Sequence, residues 1–387
     1  MSDAIAIDRR RLTEEFLELA SIPSLSRHEA GIARRLEQIL KGMGASVEID
    51  EAGEQVGADT GNLFARFPGT DAGAPPFLLS SHMDTVGPAE RIRIVREGDV
   101  IRTDRSSVLG GDDKAGLVAI LEAIRVLRER RLPHGDLEVV FTICEEIGLL
   151  GAKQFDTGRL RARRGLVLDV DGVSELITRA PAANRLTFSV HGLEAHAGIC
   201  PERGISAIQI AAEAMAGMRL GRVDEETTAN LGVIEGGLAT NIVPSRVVVK
   251  GETRSLSADK LAAQTAHMRG CFEAAVARHS VRLDDGLRRA GLEVEVTRQY
   301  EVLSVPDTAG IVRLVEAAAA RLGRPFRTRP TGGGSDANVF ATRGIEMANL
   351  GCGMRDIHTV NEWVNVNDLV ITAELVLETV RQNAAGS

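Results

Sequence analysis

Two histidines and a set of carboxylates stand where apolar segments stop, and that placement gives the chain its chemistry. The stretch FLLSSHMDTVGP, residues Phe77 to Pro88, runs a strand-length apolar segment into His82 and Asp84. LGGDDKAG, starting at Leu109, opens a long helix whose apolar positions recur at three and four, which puts Asp112 and Asp113 at the helix N-terminus. DLEVVFTIC ends in Glu145 and Glu146, the apolar run from Gly165 ends in Asp169 and Asp171, and His358 lies in a late loop beside Glu362. Helix capping accounts for one of the paired aspartates and leaves a carboxylate over. Adjacent acids at a strand end repel one another unless a positive charge sits beside them, and a metal supplies it.

Taken together, His82, Asp112, Glu146, one of the aspartates of DVDG and His358 are nitrogen and oxygen ligands without sulfur, a set that suits zinc and related divalent ions. Three carboxylates exceed the charge of one dication, so two metals sharing a bridging carboxylate are expected. Asp84, two residues after His82, is placed to hold the far ring nitrogen of that imidazole. Glu145, beside a ligand and left over, is the natural base for a metal-bound water. Asp169 and Asp171 are two apart on an extended segment, and spacing alone does not choose between them. Other nucleophiles fit poorly. The chain has no GxSxG elbow, and Cys144 sits inside an apolar strand where a thiol is inert.

The elements that must position these groups alternate. Helices over Arg11–Ala20 and from about Glu29 to Met43 precede strands at Ser46–Asp50, Asn62–Phe67 and Phe77–Ser80, and the pattern is α/β. Near Pro181 the texture changes to strand, helix, strand, strand, helix, strand, the split βαβ order of a ferredoxin-like unit. The α/β texture then resumes at about Asp307. Residues 182–299 are therefore expected to form an inserted α+β domain, and residues 1–181 with 300–387 the catalytic one.

A length of 387 residues fits two domains, and 44% hydrophobic with 26% charged residues fits a globular protein. A net charge of −8 offers no footprint for nucleic acid. The first residues lack a signal-peptide core and no run is long enough for a bilayer, so no membrane association and a cytoplasmic location are expected. Four scattered cysteines without a CxxC pair argue against disulfides and a thiolate zinc site. There is no internal repeat or low-complexity tract.

HMDTV, LGGDDKAG, EEIGLLGAK, DVDG, HAG-x-x-P-x-x-G, TNIVP, GGGSDAN and IHTVNE occur in order over nearly the whole chain. In this the sequence resembles the co-catalytic dizinc metallopeptidases that include peptidase T, glutamate carboxypeptidase and the aminoacylases, with DDKAG and DVDG most like the peptidase T branch. The resemblance implies a zinc-peptidase-type catalytic domain, a mixed sheet flanked by helices, and a lid or dimerisation role for the insert. It implies two zinc ions per subunit, with cobalt or manganese as substitutes, bridged by Asp112. His82 and Asp171 would complete one site, Asp171 being chosen on the branch's VDG pattern, and Glu146 and His358 the other. A cis peptide is implied between Asp112 and Asp113. Asp84 would orient His82, and Glu145 would pass a proton from water to the leaving amine. In a homodimer formed through the insert, His196 would reach the partner's active site to polarise the scissile carbonyl, while Asn241 and Arg254 would bind a substrate carboxylate. The activity implied is aminopeptidase action on short peptides, tripeptides foremost. A carboxypeptidase or N-acyl-amino-acid amidohydrolase shares the same centre, and a non-catalytic zinc-binding protein of the same fold is the reading from another class.

Overall fold

A computed structural model of the chain describes residues 6–386. The chain divides into two compact units, one running to Ala180 and resuming at Leu303, the other spanning Pro181–Val302.

The first unit is built on a mixed sheet. Among the described residues its strands run in the order Ser46–Ile49, Leu63–Phe67, Leu137–Thr142, Phe77–His82, Arg164–Val167, Glu346–Cys352, Val173–Ala180 and Leu303–Ser304, with Arg327–Pro330 also pairing Val173–Ala180. The four central strands are mutually parallel, and the flanking pairs are antiparallel except that Arg327–Pro330 runs parallel to Val173–Ala180. Buried on both faces, the central strands are largely apolar, and Leu137–Thr142 and Phe77–His82 are buried at every position, their polar residues included. Phe77–His82 runs two residues beyond the expected Ser80, so His82 is the last residue of the strand itself.

The helix Gly111–Glu129 packs against that sheet and is buried along most of its length. The helix Arg9–Ala20 docks on it through Arg11, whose guanidinium reaches the buried Glu122 at 2.8 Å. The C-terminal segment, which sequence periodicity left unassigned, forms the helix Val366–Ala385, with both apolar and polar positions buried. A separate four-stranded sheet joins the hairpin Ile94–Glu97 and Val100–Thr103 to the short strands Trp363–Asn365 and Met354–Arg355. Among the described residues no helix is long and apolar enough to cross a membrane. All four cysteines are free.

The second unit follows the strand, helix, strand, strand, helix, strand order. Its principal strands are Ala182–His191, Thr227–Gly236, Arg246–Ser255 and Gly291–Tyr300, its helices Ala207–Ala216 and Ala258–Ala277. Counted in that order, the strands lie side by side as second, third, first, fourth, and every pairing is antiparallel. Phe188 and Phe272 stack at 4.2 Å in a core that joins the sheet to both helices. A hairpin of Ser280–Leu283 and Gly286–Arg289 is an addition that strand patterning did not reveal.

Candidate metal centre

Parallel pairing brings the ends of three central strands level. His82 stands opposite Thr142, and Ser80 opposite Val167, so the residues that follow each strand emerge at one edge of the sheet. This carboxyl edge is where open α/β sheets hold ligands. His82 comes from the first strand, Glu145 and Glu146 from the turn after the second, and Asp169 from just past the third. Asp112 enters from the N-terminus of the long helix, and His358 from the loop before Trp363–Asn365.

Asp112 is the hub. Its Oδ1 lies 3.0 Å from His82 Nε2, and its Oδ2 lies 3.1 Å from His358 Nε2. His358 Nε2 is also 2.9 Å from Glu146 Oε2, and His82 Nε2 is 3.7 Å from Asp169 Oδ1. One carboxylate thus turns one oxygen to each of two imidazoles, and each imidazole Nε2 meets one further carboxylate. The peptide between Asp112 and Asp113 is cis, as the resemblance implied.

The two aspartates at the helix start divide the work. Asp113, fully buried, accepts hydrogen bonds from the Ser81 hydroxyl and from Gly116 N, so it is the capping residue. Asp112 is left free for the imidazoles. Neighbouring groups fix the backbone around the centre. The Asp84 carboxylate accepts from the backbone N–H of Glu145 at 2.9 Å and of Glu146 at 3.2 Å, and from the Ser26 hydroxyl at 2.6 Å. His82 Nδ1 lies 2.9 Å from the Asp84 backbone carbonyl and 3.5 Å from its carboxylate. With Nδ1 turned to that carbonyl, Nε2 is the nitrogen that meets Asp112, and its lone pair would become available to a cation once its proton is lost. Asp84 therefore orients His82 chiefly through its backbone, while its carboxylate staples the turn that carries Glu145 and Glu146.

Charge is crowded here. Burial raises the Glu145 carboxyl well above the ordinary range, reinforced by Asp169, and burial raises Glu146 as well. Asp169 is pushed up to about 7, first by burial, although His82 opposes the rise. Burial also works against ionised Asp112, but the hydrogen bonds from His358 and His82 prevail and hold its carboxyl low. His358 is raised to about 10 by Asp112 and then Glu146. Glu146 Oε1 is buried and has no hydrogen-bond partner among the described residues. An anionic oxygen buried without a donor costs several kcal/mol unless a cation meets it. Oxygen and nitrogen atoms of His82, Asp112 and Glu146, and likewise of His82, Asp113 and Asp169, lie within 4.8 Å of one another. The donor set and the orphaned oxygen both fit a divalent ion.

One expected ligand is corrected. Asp171 does not face the centre; its side chain is 60% exposed and pairs with Arg329 at 2.6 Å. The strand Arg164–Val167 ends before either aspartate, and Gly172 at φ 87° turns the chain away, so the two-residue alternation that would have aligned Asp169 with Asp171 no longer operates. Asp169 is the residue brought in. Asn349 pins it from the neighbouring strand, accepting from Asp169 N at 2.8 Å and donating to its carbonyl at 2.7 Å.

The other residues singled out by resemblance belong to the second unit. His196 is exposed, with Nδ1 accepting from Gly198 N at 3.2 Å. Asn241 is on the adjacent loop, where its carbonyl accepts from Ala197 N at 2.9 Å. Arg254 lies on Arg246–Ser255, with its Nε and Nη2 held by the Glu252 carboxylate at 3.0 and 3.1 Å. Sequence reasoning assigned no role at the centre to three buried residues that shape it. Glu29 accepts from Cys144 N at 3.0 Å, Asp336 accepts from the Thr142 hydroxyl, and Glu362 accepts from the loop before Asp112. GGGSDAN and IHTVNE contained two of them, but no periodicity marks a residue that acts on a distant backbone.

Residues 78–382 match the profile described as Peptidase family M20/M25/M40. The chain is 42% identical over 379 residues to the uncharacterized protein YqjE of Bacillus subtilis, covering 98% of this chain and all of that one. Among solved structures, it resembles the aminopeptidase PepT of Bacillus cereus at 40% identity and a TM-score of 0.87, covering 98% of this chain and all of that one. It also resembles a tripeptidase of Staphylococcus aureus at 36% identity and a TM-score of 0.91, covering 98% and 99%.

Proposed function

Because the chain belongs to the M20/M25/M40 peptidase family and is a hydrolase of its peptidase T-like branch, we propose that it is a two-metal aminopeptidase that removes the first residue of short peptides, tripeptides foremost. The observation that carries this reading is the Asp112 carboxylate, which turns one oxygen to His82 and the other to His358. In this reading His82, Asp112 and Asp169 would hold one ion, and Asp112, Glu146 and His358 the other. Zinc suits these nitrogen and oxygen donors, with cobalt and manganese as substitutes. When bound, such a pair lowers the pKa of a water and polarises a carbonyl.

The chain's own groups do the rest. Glu145, buried and with its carboxyl raised, is held by the Asp84 staple at the rim of the ligand cluster. It takes the proton of the attacking water and returns it to the leaving amine. His196 donates to the oxygen of the scissile amide from a partner subunit, in a homodimer assembled through the second unit. Asn241 and Arg254 receive the substrate's free carboxylate, for which Arg254 must exchange its contact with Glu252.

The test is a panel of free tripeptides, dipeptides, N-blocked peptides and N-acyl amino acids, with the released end identified by mass spectrometry. Tripeptides with a free amine should lose their first residue, chelation should stop the reaction, and zinc, cobalt or manganese should restore it. Release of the C-terminal residue, or turnover of N-acyl amino acids alone, would replace the aminopeptidase reading with that of a carboxypeptidase or amidohydrolase. Zinc binding without cleavage anywhere in the panel would make it a non-catalytic binder.

A further inference from the structure

Asp112 sits in an irregular stretch. Gly110 has a left-handed φ of 72°, and Asp112 and Asp113 depart from helical geometry inside the first turn. The backbone N–H groups of such a stretch have no intrahelical partners and need an acceptor. Glu362 provides it. One carboxylate oxygen accepts from Leu109 N at 2.9 Å and Gly110 N at 2.8 Å, and the other accepts from Asp112 N at 2.8 Å. Glu362 is 2% exposed, so solvent does not substitute for these bonds. Gly111 leaves room for the contact, since a Cβ there would stand 2.9 Å from Val364 Cγ1 and 3.1 Å from Glu362 Oε1. Glu362 is also four residues beyond His358, in a turn closed by Glu362 N donating to the Thr359 carbonyl at 3.1 Å. The segment that presents the second imidazole to Asp112 is therefore the segment that grips the Asp112 backbone.

We propose that Glu362 is a positioning residue that fixes Asp112 against His358, so that the shared carboxylate and the second imidazole form one preset unit. The inference rests on the two-metal reading given above. Gln at this position keeps one acceptor oxygen but turns an NH2 group toward a backbone N–H, so the three bonds are not all retained. Asp keeps the charge but is one methylene too short to reach both sides of the loop.

The experiment uses the full chain stripped of metal and titrated with Co2+ by calorimetry and visible absorption, for wild type, Glu362→Gln, Glu362→Asp and Gly111→Ala. Gly111→Ala presses on the same contact without altering the carboxylate, so it serves if the Glu362 variants do not fold. The wild type should take two equivalents. The variants should bind the weaker equivalent about 10- to 100-fold less tightly, with an altered cobalt spectrum, while tripeptide turnover recovers at saturating metal. Unchanged affinity and spectrum in folded variants would overturn the positioning role and leave the metal reading standing. A wild type that takes up no second equivalent would overturn both. Melting of the metal-free proteins by circular dichroism separates a folding defect from a loss of positioning.

Discussion

The two units treat most of their candidate site residues in opposite ways. In the first, His82, Asp84, Asp112, Asp113 and Glu145 are buried, and both Asp84 and Asp112 meet His82. In the second, His196 and Asn241 are exposed and Arg254 is half-buried against Glu252. Burying several carboxylates together is unfavourable unless cations or donated hydrogen bonds meet them, so the first unit carries a demand that only a bound ion removes in full. Exposed groups make no such demand, because water already solvates them. The first unit thus reveals its chemistry as stored electrostatic tension, whereas the second offers groups whose role depends on what is brought to them.

That contrast can be broken by substitution. Glu145→Gln should lower kcat by about 10²- to 10⁴-fold while metal content and melting stay as in the wild type, measured by steady-state kinetics beside elemental analysis. Near-normal turnover would remove Glu145 as the base. His196→Ala should lower kcat by about 10²- to 10³-fold without changing metal affinity, the cost of one donor to a developing oxyanion. If turnover is untouched, the exposed groups of the second unit stand outside the chemistry. Asp169→Asn should weaken metal binding by more than the roughly 10- to 100-fold typical of residues that merely orient a ligand, whereas Asp171→Asn should leave it unchanged. Calorimetric titration of the pair decides between the two aspartates. The smallest effect is expected from Arg254→Ala, a rise in KM of about tenfold at constant kcat, because Glu252 already occupies the guanidinium that substrate would need.

Patterns of period two and 3.6 made the central strands and the long helix legible. They located Phe77–His82, Leu137–Thr142 and Gly111–Glu129 to within a few residues, and with them His82, Asp112, Glu145 and Glu146. His358 was legible as a histidine in a late loop, and its motif carried it. Two kinds of feature were hidden. The helix Val366–Ala385 buries polar as well as apolar positions, so no clean stripe marks it. The acceptors Glu29 and Glu362 act on backbone N–H groups 115 and about 250 residues away, a separation that no local pattern encodes.

By itself the sequence determined which residue types stand at the ends of apolar segments, because burial imposes its periodicity on the chain locally. It also determined that the donors are imidazoles and carboxylates in excess, and hence that a cation is called for. Tertiary structure decided the directions of the side chains. Past the end of a strand nothing local holds the alternation of faces, and a turn at Gly172 with a salt bridge from Arg329 sends Asp171 to solvent while Asn349 holds Asp169 at the centre. The same holds for Asp112, which the chain can place at a helix start but only the fold can set between two histidines.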